Sequence, residues 1–219
     1  MLSLSQGWSV ILFDWSEDEM SALSELNEQI ARCQRCEIAK NRTKAVPGEG
    51  AENADIMFIG EAPGWHEDQQ GRPFVGPAGQ FLDKLLASIS LKREQVYITN
   101  IIKTRPPSNR DPLPTEIQNC RDWLERQIEI IRPRIIVTLG RYSMAMFFSG
   151  KSIGKIHGTA QKRDGIIYYA MYHPAAALHQ QSLRQVIEAD ILKIPALLAE
   201  ARVVPEAEPQ PQQLGMFEG

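Results

Sequence analysis

Four short, almost continuously apolar runs recur along the chain between stretches of helical spacing, and this alternation restricts the fold more than any other feature. The runs are 56–60 (IMFIG), 96–102 (VYITNII), 135–140 (IIVTLG) and 166–172 (IIYYAMY). Their length and β-branched character are typical of strands buried on both faces. Helical patterns occupy 77–89, 115–131, 141–148 and 183–200. This order predicts a three-layer α/β/α domain with a central, mostly parallel four-stranded sheet.

Composition divides the chain into an N-terminal extension at 1–16, one domain at 17–202 and a tail at 203–219. The domain opens on helical apolar spacing over 17–32, through Met20, Leu23, Leu26 and Ile30. Ser16 with Glu19 three residues later resembles a capping box for that helix. The tail is rich in Pro, Gln and Glu over 205–213, a composition typical of extended, disordered chain.

Acidic residues concentrate at the two ends of the chain, so the net charge of −3 understates how basic the middle is. Residues 1–28 hold six acids and residues 203–219 hold three, with no Lys or Arg in either segment, which leaves 24 basic and 18 acidic residues between them. Stretches 101–110 and 151–163 carry Lys and Arg without an acid. Such patches neutralise nucleic-acid phosphates or form two solvated loops, and charge alone leaves both interpretations open.

The chain carries no sign of a membrane or secreted protein. No apolar run is long enough to span a bilayer, and the N-terminus lacks the basic segment of a secretory signal. Three cysteines, an odd number, argue against a disulfide framework. We therefore expect a cytoplasmic protein without a membrane partner, whose cysteines serve metal or redox chemistry.

The segments that follow the apolar runs carry the residues suited to chemistry. Gly60 to Gly64 reads GEAPG, Asn100 leads into a segment rich in Pro, Asn and Arg, and HPAAAL occupies 173–178. In doubly wound sheets ligands bind beyond the carboxyl ends of the strands. These segments therefore predict the position of the binding site.

Four motifs occur in one order along residues 30–200, and together they are specific. They are GEAPG, GRPFVGPAG at 71–79, a strand ending in Asn100, and HPAAAL. In this combination the chain closely resembles the family 4, iron–sulfur type, uracil-DNA glycosylases. The resemblance implies a monofunctional DNA glycosylase of base excision repair, which flips uracil out of DNA, hydrolyses its N-glycosidic bond and leaves an abasic site.

The resemblance also implies roles for residues around the flipped base. Gly60 belongs to the uracil pocket, Phe74 matches the stacking ring, and Asn100 matches the amide that reads the edge of uracil. His173 matches the catalytic histidine that donates to uracil O2, and a neutral ring suffices for this. Ala62 replaces the aspartate that orients water in the best-known family of the superfamily, so Glu61 is the candidate for that task.

A second group of residues is expected to contact DNA. Leu178 resembles the residue that fills the gap left by the flipped base. His157 is a candidate backbone contact, with a plain loop histidine as the alternative. The remaining candidates for phosphate contacts are Arg105, Ser108, Arg110, Ser182 and Arg184.

The cysteines match the family's iron–sulfur ligands only in part. Cys33 and Cys36 form the C-x-x-C pair and Cys120 matches the fourth ligand, but Thr104 stands where the third cysteine is expected. A 4Fe–4S cluster remains the expected cofactor. The alternatives are a cluster with a non-cysteine or solvent ligand, a three-iron cluster, a zinc or dithiol site, and no cluster.

The end of the tail suggests a further partner. Gln213, Leu214, Met216 and Phe217 resemble the short peptides that bind bacterial sliding clamps, although a frayed tail is the alternative. The partners expected are thus uracil-containing DNA and a sliding clamp, with the protein itself a monomer.

Two other functions compete with the glycosylase. One is a non-catalytic or covalent binder of uracil-containing DNA, although the chain has no histidine between residues 67 and 156, where a covalently attacking loop histidine is expected. The other is a redox or metal carrier, which leaves the four loop motifs unexplained.

Overall fold

The computed structural model describes residues 20–202. Its first helix is shorter than the one that the sequence predicts over 17–32. Helix α1 spans Ala22–Arg32, and the Ser21 side chain caps it by accepting a hydrogen bond from the Ser24 N–H. Met20 lies before the helix and is exposed, so its assignment to the apolar helical face is wrong. The capping box predicted at Ser16 and Glu19 lies outside the described residues.

One mixed sheet of six strands forms the centre of the domain, two more strands than predicted. The order across the sheet is β1-β3-β2-β4-β6-β5. The four inner strands are parallel to one another and coincide with the four apolar runs, whereas the two edge strands pair antiparallel. The strands are β1 (Glu49–Gly50), β2 (Ile56–Gly60), β3 (Tyr97–Asn100), β4 (Ile135–Leu139), β5 (Ala160–Arg163) and β6 (Ile166–Met171).

Strand β5 corrects the interpretation of the basic stretch 151–163 as a solvated loop. All four of its residues are exposed, and its outer edge has no neighbouring strand in the described sheet. Charged side chains on such an edge discourage pairing with another chain. The AQKR sequence lacks the apolar alternation that predicts a strand, so tertiary pairing with β6 is what defines it.

The helices lie on both faces of the sheet, as the fold class requires. The predicted helix at 183–200 is two helices, because Pro195 has no N–H with which to continue the first helix into the second. After α1 they are α2 (Trp65–Gln70), α3 (Pro77–Ser88), α4 (Pro114–Ile131), α5 (Arg141–Phe147), α6 (Ile153–Ile156), α7 (Ala176–His179), α8 (Gln181–Ile191) and α9 (Ile194–Arg202). None of the described helices is long and apolar enough to cross a membrane.

Alternate residues of each inner strand enter two separate cores. Met57 and Ile59 pack with buried residues of α1 and α4, whereas Ile56 and Phe58 pack with those of α3 and α8. Burial on both faces explains why the inner strands read as continuous apolar runs. Because these strands are parallel, their carboxyl ends share one edge of the sheet, which carries the candidate site.

Candidate active site

Four of the five residues predicted to surround the flipped base border one cavity at the carboxyl edge of the sheet. Its volume is about 400 Å³, within the usual range of small-ligand pockets. Asn100 ends β3, Glu61 follows β2, and His173 follows β6 by two residues. Phe74 enters from the loop between α2 and α3. The remaining lining residues include Ala62, Pro63, Gly64, Glu67, Ala78, Pro106, Asn109, Arg110 and Ala175.

Asn100 provides a buried amide with unused bonding capacity. Only 1% of the residue is exposed, and its Oδ1 has no hydrogen-bond partner among the described residues. Leaving a buried polar atom unpaired costs about 1–3 kcal/mol, so such an atom beside a cavity indicates a missing ligand group.

Gly60 makes the close packing of this wall possible. In the sheet it lies opposite Asn100, and a Cβ at this position would collide with Asn100 Oδ1 and with the Phe74 ring. Any larger residue would therefore displace both the amide and the aromatic ring. Gly60 therefore leaves room for both side chains, although it does not itself line the cavity.

Phe74 is held in an unfavourable backbone conformation. Its φ is +51°, a region that costs a non-glycine residue about 1–3 kcal/mol. The Arg93 guanidinium donates to the carbonyls of Pro73 and Phe74 at 2.7 and 3.1 Å and forms an ion pair with Glu49. These contacts fix the loop so that the ring lines the cavity.

His173 is a neutral ring with a defined tautomer. The Ala175 N–H donates to Nδ1 at 3.1 Å, so the proton of the neutral ring lies on Nε2. Burial lowers the pKa of His173 from 6.5 to about 4, with Glu67 opposing the fall. The ring stacks near Phe74, with centroids 5.4 Å apart. At neutral pH His173 is thus a hydrogen-bond donor without charge.

Glu61 is a half-buried carboxylate at the cavity wall. Burial raises its pKa, the charge of Asp111 raises it further, and Arg141 acts in the opposite direction. A carboxylate with a raised pKa accepts protons more readily than a solvated one, which suits a group that orients water.

Glu67 is a site residue that the sequence reasoning missed. Its Oε1 accepts the N–H groups of Val75 and Gly76, both at 2.9 Å, and its Oε2 accepts that of Gly64 at 3.1 Å. One carboxylate therefore joins the GEAPG loop to the loop that carries Phe74. Glu67 lies three residues after Gly64, the N-cap of α2, and accepts its N–H as the glutamate of a capping box does; a Glu at this spacing is the signal that could have revealed it.

Three of the predicted DNA contacts, Leu178, Ser108 and Ser182, are exposed. Leu178 is 49% exposed on α7, directly after the loop of His173. Ser108 is exposed in the segment after β3, and the neighbouring Arg105 donates to Asn109 at 2.6 Å. Ser182 is exposed at the start of α8.

The other predicted DNA contacts are already paired within the protein. Arg110 lines the cavity and forms two hydrogen bonds to the buried Glu116, at 2.6 and 2.9 Å. Arg184 pairs with Glu188 at 2.9 Å, and its guanidinium lies 4.8 Å from the Phe81 ring centroid. The remaining candidate is His157, whose Nδ1 lies 2.8 Å from Asp190 Oδ2.

The three cysteines come together where α1 ends beside α4. Cys33 and Cys36 pack against the core that contains Cys120, and each thiol is within electrostatic reach of the others. Within residues 20–202, no group of three His, Cys, Asp or Glu side chains is arranged to hold a single metal ion. Thr104 is buried and accepts a hydrogen bond from Arg42.

The comparisons with known proteins agree with this geometry. A family model described as Uracil DNA glycosylase superfamily matches residues 47–193. The chain belongs to the uracil-DNA glycosylase superfamily.

Within the superfamily, several similar curated proteins are named Type-4 uracil-DNA glycosylase. That of Sulfurisphaera tokodaii is 48% identical over 185 residues, which cover 80% of this chain and 84% of that protein. That of Archaeoglobus fulgidus is 45% identical over 184 residues, covering 80% and 92%. That of Saccharolobus solfataricus is 46% identical over 190 residues, covering 82% and 88%.

Proposed function

We propose that this chain is a monofunctional uracil-DNA glycosylase that extrudes uracil from DNA and hydrolyses its N-glycosidic bond. The observation that carries the proposal is the buried Asn100 amide, whose unpaired Oδ1 lies in the wall of a cavity that Phe74 and His173 also line. The Type-4 uracil-DNA glycosylase relatives act on the same substrate by name.

Recognition depends on the two ends of the Asn100 amide. Uracil presents an N3–H donor next to the O4 acceptor, and a carboxamide offers the complementary acceptor and donor. Cytosine presents an amino donor at C4 instead, which leaves the Asn100 N–H group facing another donor. Phe74 supplies an apolar face for the ring, and its strained backbone is held by Arg93 before any ligand arrives.

Bond cleavage requires stabilisation of the leaving base. As the C1′–N1 bond breaks, its electron pair passes to the uracil ring and places negative charge on O2. His173 Nε2–H donates to that oxygen as a neutral group, and its orientation is fixed through the Ala175 N–H. Water then attacks C1′ and releases a proton, and an abasic sugar remains.

The attacking water needs a polar partner, and Glu61 is the one we propose. Ala62, the next residue, is apolar and cannot take this part. Glu61 is half-buried at the cavity wall, and its raised pKa makes the carboxylate a better acceptor of the water's proton.

A further set of residues contacts the DNA around the extruded base. We assign the wedge to Leu178, which is exposed beside His173, and phosphate contacts to Arg105, Ser108 and Ser182. Arg110, Arg184 and His157 remain candidates for phosphate contacts, each held in place by a carboxylate.

The thiols of Cys33, Cys36 and Cys120 suit an iron–sulfur cluster, because thiolates are the usual ligands and all three lie in one region. A cluster held by these residues would link the end of α1 to α4 and would serve stability. No step of base excision passes through it.

The tail supplies a proposed link to replication. The residues concerned, Gln213, Leu214, Met216 and Phe217, lie outside the described residues. A clamp-bound glycosylase gains local concentration near new DNA in the cytoplasmic nucleoid, and it works as a monomer. Truncation after Gln210 should abolish clamp binding in a pull-down while uracil release from a free oligonucleotide stays unchanged. Unaltered clamp affinity of the truncated chain would rule out this link.

A strand with one uracil tests the main proposal. Incubation with the protein should release free uracil and leave a site that alkali cleaves, without cleavage before alkali. The same strand with thymine is the control. Retention of intact uracil in a tight complex would indicate the non-catalytic binder, and a complex that survives denaturation would indicate the covalent one.

A further inference from the structure

Thr104 lies in the same region as the three cysteines, and its hydroxyl already takes part in a contact with another side chain. Only 2% of the residue is exposed, and its Oγ1 accepts a hydrogen bond from Arg42 Nη1 at 3.1 Å. Arg42 is anchored in turn, because its Nη2 donates to the Ala31 carbonyl at 2.7 Å. The hydroxyl is thus one end of a fixed bridge from the end of α1 to the segment after β3.

Lys103, the residue before Thr104, and Arg42, which donates to the Thr104 hydroxyl, lie near the thiols. The Lys103 backbone, adjacent to Thr104, hydrogen-bonds to Cys120. The Arg42 guanidinium lies within electrostatic reach of Cys36. Cys33 receives a hydrogen bond from Trp123 Nε1 at 3.4 Å. The three thiols and the Thr104 hydroxyl therefore border one region.

The hydroxyl is unsuited to bind iron in this setting. A neutral hydroxyl is a weak ligand compared with a thiolate. One of its lone pairs is occupied by the Arg42 N–H, and the guanidinium adds a positive charge where an iron cation would approach. The region therefore offers three thiols and one hydroxyl oxygen that is already hydrogen-bonded to Arg42.

We propose that Cys33, Cys36 and Cys120 hold an iron–sulfur cluster whose fourth iron has no ligand from this protein, because the Thr104 hydroxyl is already hydrogen-bonded to Arg42. The inference depends on the proposed cofactor but not on glycosylase activity. Without a protein ligand the fourth iron is exchangeable. If this cluster is bound, one-electron oxidation by ferricyanide would convert its four-iron 2+ core into a three-iron 1+ core, with release of one Fe²⁺ and transfer of one electron to the oxidant, which would become ferrocyanide.

The full chain, purified without oxygen and reconstituted with iron and sulfide, provides the test. Iron and sulfide per chain and the electron paramagnetic resonance spectrum are measured before and after ferricyanide. We expect the oxidised wild type to hold about three irons and to show the signal of a three-iron cluster. Thr104→Cys should keep about four irons under the same treatment. Thr104→Ser, which retains a hydroxyl, should behave as the wild type does.

Two results would overturn the proposal. One is a wild-type protein that keeps four irons as firmly as Thr104→Cys, since the chain would then supply a fourth ligand. The other is a wild type that assembles no cluster, since three thiolates would then be insufficient. Uracil release by the same preparations is scored separately, so failure here leaves the glycosylase proposal to its own test.

Discussion

Burial of His173 couples folding to pH, because the unfolded chain protonates this ring more readily than the folded protein does. Its pKa falls from 6.5 to about 4, chiefly through burial. Since the unfolded state binds more protons between these values, the stabilisation is complete above pH 6.5 and is lost as pH falls towards 4. We expect a loss of about 2–3 kcal/mol across this window, measured by urea unfolding.

A variant without the titrating ring separates the contribution of His173 to the pH dependence of stability from that of the carboxylates. His173→Asn should lose less stability than the wild type over the same pH range, so the two curves should converge as pH falls. Curves that run parallel between pH 6.5 and 4 would show that His173 is not protonated more easily on unfolding.

The neutral His173 ring is also the proposed donor to uracil O2. Removal of one such donor commonly costs about 10²–10³-fold in rate, and we expect His173→Ala to slow single-turnover uracil release by this factor. Thermal unfolding at pH 7 serves as the control for folding. A rate within threefold or so of the wild type would remove His173 from catalysis.

We propose that the Asn100 amide determines which pyrimidine is accepted. Asn100→Asp replaces the N–H group that faces O4 with an oxygen, so uracil loses a donor and meets a repelling acceptor. We expect uracil release to fall by at least about 100-fold and the preference for uracil over cytosine to weaken. Parallel assays with strands carrying each base measure both effects. An unchanged preference would mean that another group reads the base.

At the scale of single residues, the sequence predicted positions but not tautomers or ion pairs. The positions of Phe74, Asn100 and His173 follow from motifs, and the structure brings all three to one cavity. The tautomer of His173 could not be read from the sequence, because it depends on the Ala175 N–H. The pairing of Arg110 with Glu116 was equally hidden, since it depends on how α4 begins.

Two loops of the site depend on one side chain at the start of helix α2. Glu67 accepts hydrogen bonds from the N–H groups of Gly64, Val75 and Gly76. Glu67→Gln replaces one carboxylate oxygen with an NH₂ group, which cannot accept a hydrogen bond from these N–H groups. We expect a loss of about 1–3 kcal/mol in stability and a fall of about tenfold or more in kcat/KM for uracil release. Urea unfolding and steady-state kinetics measure the two.

The exposed Gln70 at the other end of α2 provides the matched control. Gln70→Ala should change neither quantity, because no hydrogen bond of its side chain is seen within residues 20–202. If Glu67→Gln matched Gln70→Ala in kinetics, the carboxylate would have no part in shaping the cavity.

Elements with a strong local signal were predictable, and those defined by tertiary contacts were not. The inner strands β2, β3, β4 and β6 are buried on both faces, so their sequences alone reveal them. Strands β1 and β5 have no apolar pattern and exist through pairing with their neighbours. The break between α8 and α9 was signalled by Pro195, which the apolar spacing of the segment concealed.

At the scale of the whole molecule, charge is separated along the chain. The net charge of −3 arises from acidic ends around a middle with 24 basic and 18 acidic residues. We expect such a molecule to bind DNA through the basic residues of its middle part while its acidic ends repel the same phosphates. The repulsion acts through solvent, so salt should weaken it strongly.

Neutralising the N-terminal acids tests this balance. In the full chain, changing Asp14, Glu17, Asp18 and Glu19 to Asn or Gln removes four negative charges. We expect about 2–5-fold tighter binding to a uracil-free duplex at about 50 mM salt, measured by fluorescence anisotropy. At about 0.5 M salt, where the screening length is about 4 Å, the difference should vanish.

A charge change at the opposite edge of the sheet separates this effect from net charge alone. Glu129 lies near the end of α4, which leads into the amino end of β4 and thus away from the cavity. Glu129→Gln should leave DNA affinity nearly unchanged at both salt concentrations. An equal gain per charge from Glu129→Gln would mean that only net charge matters, and a gain that persists at high salt would mean that the acidic segment blocks DNA by contact rather than by repulsion.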